Sequence, residues 1–288
     1  MNAWLLVGWA FLIIVIVLIV LLAVDQSRSA SFRTLPSPPD TFDLPFRVAA
    51  VSVMREVADV LPDILVQLAY MDRRFQHVEY FVYENDSKDE TVGLLKAWEA
   101  SKPHNIHITT ESLGKKPTTA KGKHSASRFQ RMAEIRQQYV DWLQPRLDEF
   151  DYVFVFEGDV HDLNLSEALQ VFSDTERWDA TFPNGIEQIF FVRKYYDPIA
   201  FADHLGRRVH GHDGGSTGTI PVPSFKKEGD WVPVRSAFAG AGFYRAELFK
   251  DASYLPEENQ EPDCEHVIFH ERMPQARMFV VPQWELMR

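Results

Sequence analysis

Residues 152–160 read YVFVFEGDV, five aromatic or β-branched residues followed at once by a carboxylate, a glycine and a second carboxylate. A short apolar run closed by a glycine predicts a strand buried on both faces. The same arrangement stands upstream. Val78–Tyr83 (VEYFVY) runs into ENDSKDET, and Arg47–Val53 (RVAAVSV) is a third short apolar run. Between them the period changes. Val57, Leu61, Ile64, Leu65 and Leu68 share one helical face, a second helix is expected around Val92–Glu99, and a long charged helix from Ala126 to Leu147. His104–Thr109 (HNIHIT) supplies one more strand, and Glu111–Ser125 a polar, basic loop. Strands alternating with helices predict an α/β fold of the Rossmann type with a mostly parallel central sheet. Ligands of such sheets bind at the carboxyl ends of the strands. The acidic motifs at 84–91 and 157–159 both follow strand ends and would face one crevice. The second half is less regular, with strands expected near Ile186–Val192 and Met278–Val281 and a glycine-rich stretch, Gly211–Thr219, between them.

Composition bounds the remainder. The chain has 288 residues, 45% apolar and 25% charged, as a globular protein does. Its formal net charge of −11 argues against a nucleic-acid partner, which requires a basic face, yet leaves room for a local basic pocket. The single cysteine, Cys264, excludes an intrachain disulfide and multi-cysteine zinc sites. Trp4–Val24 is an uncharged stretch of 21 residues, long enough as a helix to cross a hydrocarbon core of about 30 Å. A cleaved signal peptide would have a basic start and a shorter apolar run. The expectation is a transmembrane anchor at 4–24, a Ser- and Pro-rich stem at 25–46 and a catalytic domain at 47–288, in a single-pass membrane protein. Arg28 and Arg33 follow the span, and a sequon at Asn85 lies inside an acidic motif where a glycan would do damage. Both observations lean towards a cytoplasmic catalytic domain.

Four groups of residues carry chemistry. In the octet from Glu84 to Thr91, a carboxylate can accept hydrogen bonds from a base or a ribose, while Ser87 or Asp89 can equally cap the next helix. Glu157 and Asp159, flanking Gly158, are hard oxygen donors able to hold Mg²⁺ or Mn²⁺ beside a diphosphate, or they form an acidic turn. Lys115, Lys116, Lys121, Lys123, His124, Arg128 and Arg131 can offset diphosphate charge or lie on a solvated face. They are not a P-loop, since Pro117 stands where its first glycine would be. Last come Asp263, Cys264, Glu265, His266 and His270. The two histidines share a helical face, either can offer a nitrogen to a metal, and Glu265 can act as a base. A lesser cluster is His210, His212 and Asp213.

Taken together, these segments resemble the GT-A-fold glycosyltransferases. ENDSKDET is similar to their first nucleotide-binding turn, and VFVFEGDV to their DxD metal motif, with glutamate at the first position. SRFQRMAEIRQQYVDWL is similar to the helix between those two motifs. VRSAFAGAGFYRAELF resembles the small-residue segment on the acceptor side, and CEHVIFH the late acidic-plus-histidine motif. The nearest resemblance is to the capsule-associated α-1,3-mannosyltransferases of the cryptococcal type, as scattered motifs over most of residues 47–288. The resemblance implies nucleotide contacts from Glu84, Asp86 and Asp89, and donor phosphates near Arg131. It implies close sugar approach at Gly240 and Gly242, a divalent metal (Mn²⁺ or Mg²⁺) on Glu157, Asp159 and His270, and Glu265 with Asp263 at the reacting centre.

The activity expected is metal-dependent transfer of a sugar from a UDP- or GDP-linked donor to a hydroxyl of a glycan or lipid-linked acceptor. A sugar nucleotidyltransferase shares the architecture but opens with a glycine-rich loop after its first strand, where this chain reads VSVMREVADV. A membrane-tethered binding module without catalysis is the reading from a different class.

Overall fold

The structure is a computed structural model that describes residues 44–114, 126–189, 192–211, 217–260 and 263–288. Four parallel strands form the first half of its sheet: β1 (Leu44–Met54), β2 (Phe75–Asn85), β3 (Ile106–Glu111) and β4 (Tyr152–Glu157). Right where the period changes to that of a helix, α1 (Leu61–Arg74), α2 (Thr91–Ser101) and α3 (Ala126–Leu143) make the crossovers. Pro62 opens α1, where a missing N–H costs nothing. Pro145 ends α3 earlier than expected, and Gln144–Glu149 continue as a 3₁₀ turn.

The remaining strands are β5 (Ala180–Ile189), β6 (Val192–Tyr195), β7 (Ala202–Asp203), β8 (Val232–Ser236), β9 (Ala241–Arg245) and β10 (Met278–Met287). The sheet order is β3-β2-β1-β4-β9-β5-β10-β8-β7, with β6 paired to β5. Strands β1 to β5, β7 and β10 point one way and β6, β8 and β9 the other, so the sheet is Rossmann-like and mostly parallel in strand direction. The short helices α4 (Leu165–Ala168) and α5 (Glu265–Glu271) complete the elements. Cores cover both faces of the sheet. One, with α3 and α5, buries Val51, Val155, Tyr139, Phe238 and Tyr244; the other, with α1, buries Ala50, Leu68, Phe154, Trp178 and Trp284.

Several expectations are revised. The strand expected near 186–192 is a hairpin of β5 and β6. The stretch VRSAFAGAGFYRAELF contains β9, which lies in mid-sheet, antiparallel to both β4 and β5. Leu44–Phe46, read as the end of a stem, already belong to β1. The single-pass membrane localisation is corrected as well: among the described residues no helix is long and apolar enough to cross a membrane. The run Trp4–Val24 itself lies outside the described residues.

Candidate active site

The parallel strands end where their helices begin, and a cavity of about 330 Å³ opens there. Met54, Asn85 and Glu157, the last residues of β1, β2 and β4, all line it. Five arginines, Arg55, Arg128, Arg131, Arg136 and Arg288, face the same space. So do four carboxylates: Glu157, Asp159, Asp197 and Glu265. A chain of net charge −11 therefore gathers cationic side chains at one place, at the switch of its sheet.

Arg136 organises the floor. It sits on the buried side of α3 at 2% exposure, spaced with Phe129, Ala133, Val140 and Leu143 on the helix's apolar face. Its Nη2 donates to Glu157 Oε1 (2.9 Å) and its Nε to Glu265 Oε1 (3.2 Å). Two carboxylates on one guanidinium balance a charge that burial alone would make costly. Its Nη1 has no hydrogen-bond partner among the described residues. His266 stacks on Phe238 at 3.8 Å between ring centroids, lines the cavity, and likewise finds no partner for either nitrogen among the described residues. Burial, and then the Arg136 charge, hold its pKa well below the usual histidine value, so it is neutral.

The Glu157–Asp159 pair forms the rim. Arg288 Nη2 lies 2.5 Å from Asp159 Oδ2 and Nη1 3.5 Å from Glu157 Oε2, with the guanidinium 4.6 Å from the centre of the Tyr196 ring. Desolvation and the Glu157 charge push the Asp159 pKa up, against the pull of Arg288 and Arg136. Gly158 is needed for packing: a Cβ there would stand 2.7 Å from Met54 Cγ. As hard oxygen donors at the mouth of a cationic cavity, the two carboxylates fit a divalent cation of the kind that takes its other ligands from phosphate and water. Among the described residues no group of three or more His, Cys, Asp or Glu suited to a metal occurs.

Asp197 follows β6 in a left-handed conformation (φ 64°), which costs a residue with a side chain about 1 kcal/mol or more. It accepts from the Ala239 N–H (3.3 Å), itself on a left-handed residue. Burial, then Glu157 and Glu265, raise its pKa to about 8. It is protonated at neutral pH and can donate a hydrogen bond.

Other expected site residues lie elsewhere. His270 is corrected as a metal ligand. Ser236 Oγ donates to the Ala200 carbonyl (2.7 Å), so it accepts from His270 Nδ1 (2.9 Å), while the Tyr244 hydroxyl donates to Nε2 (3.1 Å). Its lone pair is used and the ring is in the core. Asp263 is corrected as a catalytic group, being held by Arg208 through both carboxylate oxygens (2.9 and 3.1 Å) at 5% exposure. Gly242 is corrected as a place of sugar approach, because it lies inside β9 under Phe182. Gly240, at φ 94°, turns the chain so that its carbonyl accepts from the Glu157 N–H (2.9 Å), and it packs on Val160 and Leu286 instead of facing the cavity.

Of the octet, only Asn85 lines the cavity. Glu84 accepts from the Ser87 N–H (2.8 Å), Asp86 from the Gly114 N–H (2.9 Å), and Asp89 from the Ala58 and Thr91 N–H groups (both 3.1 Å). These three carboxylates brace turns, and the N-cap of α2 is Glu90, without a side-chain cap bond, in place of Ser87 or Asp89. Arg131 and Glu265 are brought to the cavity. His210 pairs in an isolated bridge with Thr217, whereas Lys115, Lys116, Lys121, Lys123, His124, His212 and Asp213 lie outside the described residues. Asp197, Arg136, Tyr196 and Arg288 went unread. Only Arg136 carried a signal, a charge at a core spacing of its helix.

No protein-family model and no curated protein matches the chain. Among solved structures, residues 1–349 of S. aureus TarS in complex with UDP are 14% identical with a TM-score of 0.48, covering 84% of this chain and 60% of that one. The mannosyltransferase PcManGT from Pyrobaculum calidifontis, in complex with GDP-Man and Mn²⁺, is 13% identical with a TM-score of 0.46, covering 92% and 64%. The 4-diphosphocytidyl-2C-methyl-D-erythritol synthase of Anaerococcus prevotii is also 13% identical, with a TM-score of 0.40, covering 84% and 87%. The chain thus spans about three fifths of the TarS fragment it is similar to. All three likenesses are loose, and the functional reading stands on the cavity.

Proposed function

We propose that this chain is a glycosyltransferase that moves a sugar from a nucleoside-diphosphate sugar to a hydroxyl of a glycan or related acceptor. One observation carries the reading: five arginines and a Glu157–Asp159 pair converge at the carboxyl ends of β1, β2 and β4 in an otherwise acidic protein. Departure of a nucleoside diphosphate places negative charge on the leaving oxygen, and fixed positive groups stabilise it most where water is sparse. Arg136 is buried and tied at two points, so it costs no reorganisation as that charge grows. Arg128 and Arg131 on α3 and Arg55 after β1 would receive the phosphates. Glu157 and Asp159 would hold a divalent cation, which supplies Lewis-acid charge at the diphosphate when bound. Protonated Asp197 and neutral His266 would contact sugar hydroxyls, and Glu265 acts through Arg136 as a positioning residue. The motif resemblance favours mannose as the first donor to try.

The test is calorimetric titration of the full chain with UDP, GDP and their hexose conjugates, with and without Mn²⁺. Binding of one nucleotide family that Arg136→Ala weakens at least tenfold would support the reading. A folded chain that binds none of them would end it.

A further inference from the structure

The two arginines on the Glu157–Asp159 pair differ in kind. Arg136 is buried, and its guanidinium is anchored at two carboxylates. Arg288 is held differently. Its backbone is fixed, since its N–H donates to the Ile186 carbonyl (3.2 Å) and the preceding Met287 pairs with Ile186 of β5. Its side chain is 37% exposed, lies over one face of Tyr196, and reaches Asp159 Oδ2 closely but Glu157 Oε2 only at 3.5 Å. That is a side chain on a fixed root with a movable head.

The oxygens it takes are informative. Glu157 Oε1 belongs to Arg136; Glu157 Oε2 is shared between the Tyr196 hydroxyl (3.4 Å) and Arg288 (3.5 Å), and Asp159 Oδ2 belongs to Arg288. Both carboxylates line the cavity, so Arg288 sits where a cation on this pair would sit. A guanidinium and a divalent ion on the same two oxygens would stand a few ångström apart and repel, so they compete for the pair. A guanidinium is also a planar fork suited to phosphate oxygens, so it has a second place to go when a diphosphate enters.

We propose that Arg288 is a diphosphate-binding residue that holds the cation's place on Glu157 and Asp159 while the cavity is empty and moves to the donor phosphates when cation and nucleotide enter. The phosphate half rests on the glycosyltransferase reading; the place-holding half does not. Without the guanidinium, the two carboxylates it bridges would face each other across the rim. With it, one charge of the pair is offset without a metal, and a cation alone must compete with the guanidinium.

The experiment measures Mn²⁺ binding without nucleotide, by electron paramagnetic resonance of free Mn²⁺, for the full chain and for Arg288→Ala. A partly exposed ion pair of this kind is worth a factor of up to about five in competition, so the variant should bind Mn²⁺ about three- to fivefold more tightly. Arg131→Ala removes the same charge from the cavity wall and serves as the control, with an expected change of less than about twofold. With Mn²⁺ saturating, Arg288→Ala should weaken UDP or GDP binding about tenfold or more, as loss of a charged phosphate contact does. Circular dichroism and an unchanged melting temperature confirm folding of each variant.

Equal Mn²⁺ affinity in wild type and Arg288→Ala, or no Mn²⁺ binding by either, overturns the place-holding role. An equal gain in Arg131→Ala overturns it too, because it would then be a field effect. Undiminished nucleotide affinity in Arg288→Ala overturns the phosphate role. If no nucleotide binds the wild type while Arg288→Ala still unmasks Mn²⁺, the transferase reading fails and the place-holder stands.

Discussion

Asp197 is the lining carboxylate that is set apart at neutral pH. Glu157, Asp159 and Glu265 each face a guanidinium, whereas Asp197 is held by the Ala239 amide and faces Glu157 from β4 and Glu265 from α5, with Tyr195 and Cys264 beside it. Its folded pKa of about 8 lies above the ordinary 3.8. The sign follows from linkage: the folded state binds the proton more tightly, so stability is fully present below the unfolded value and is lost as pH rises through the folded one. Asparagine keeps the shape and never ionises. Asp197→Asn should therefore melt near the wild-type temperature at pH 4.5 and increasingly above it up to about pH 8, with the gap constant beyond. Parallel melting curves at every pH would refute this. Arg136 is the opposite case. Arg136→Ala strands two carboxylates of the cavity floor and should cost about 3 kcal/mol in urea unfolding, well beyond an ordinary surface substitution.

At the scale of elements, the strand β9 separates what is legible in the chain from what is not. Its residues, AGFYR, have no strong alternation and begin with small side chains, yet they lie between β4 and β5. Gly242 is there because Phe182 needs the room: a Cβ would stand 3.0 Å from its ring and 2.9 Å from that of Tyr244. Gly242→Ala should destabilise by about 1–3 kcal/mol through overpacking and leave nucleotide affinity unchanged. A loss of affinity without a loss of stability would restore the glycine to the sugar site. The strands β1, β2 and β4 were readable because a strand buried on both faces needs a run of β-branched and aromatic residues and little else. Their ends were readable too, since the chain must turn polar there, and so Glu157 and Asp159 could be found. The octet after β2 could not be resolved the same way, because a turn brace and a nucleotide ligand call for the same carboxylates. Arg288, Tyr196 and Asp197 come from chain segments remote from those strands, and only tertiary packing brings them to the rim.

At the scale of the whole molecule, the site and the core share one short helix. Glu265, at the start of α5, holds Arg136 on the cavity side, and His270, at its end, is sealed between Ser236 and Tyr244. His266, between them, stacks on Phe238. Burial pushes the His270 pKa down to about 3 and that of His266 well below the usual 6.5. Both rings therefore stay neutral in the folded state under mildly acidic conditions, while in the unfolded chain they take up protons below about pH 6.5. Stability is fully present above that value and falls as pH falls towards the folded values, by about 1.4 kcal/mol per pH unit for each ring. His270→Gln removes one of the two from both states. It should lower stability at pH 7.5 through lost packing, yet flatten the acid limb of the stability curve between pH 6 and pH 4.5 by about half of the histidine-driven slope. The comparison is one of slopes, from urea unfolding at four pH values, so the overall level of stability does not enter. An acid limb as steep in His270→Gln as in the wild type would mean that burial of His270 does not contribute to acid unfolding.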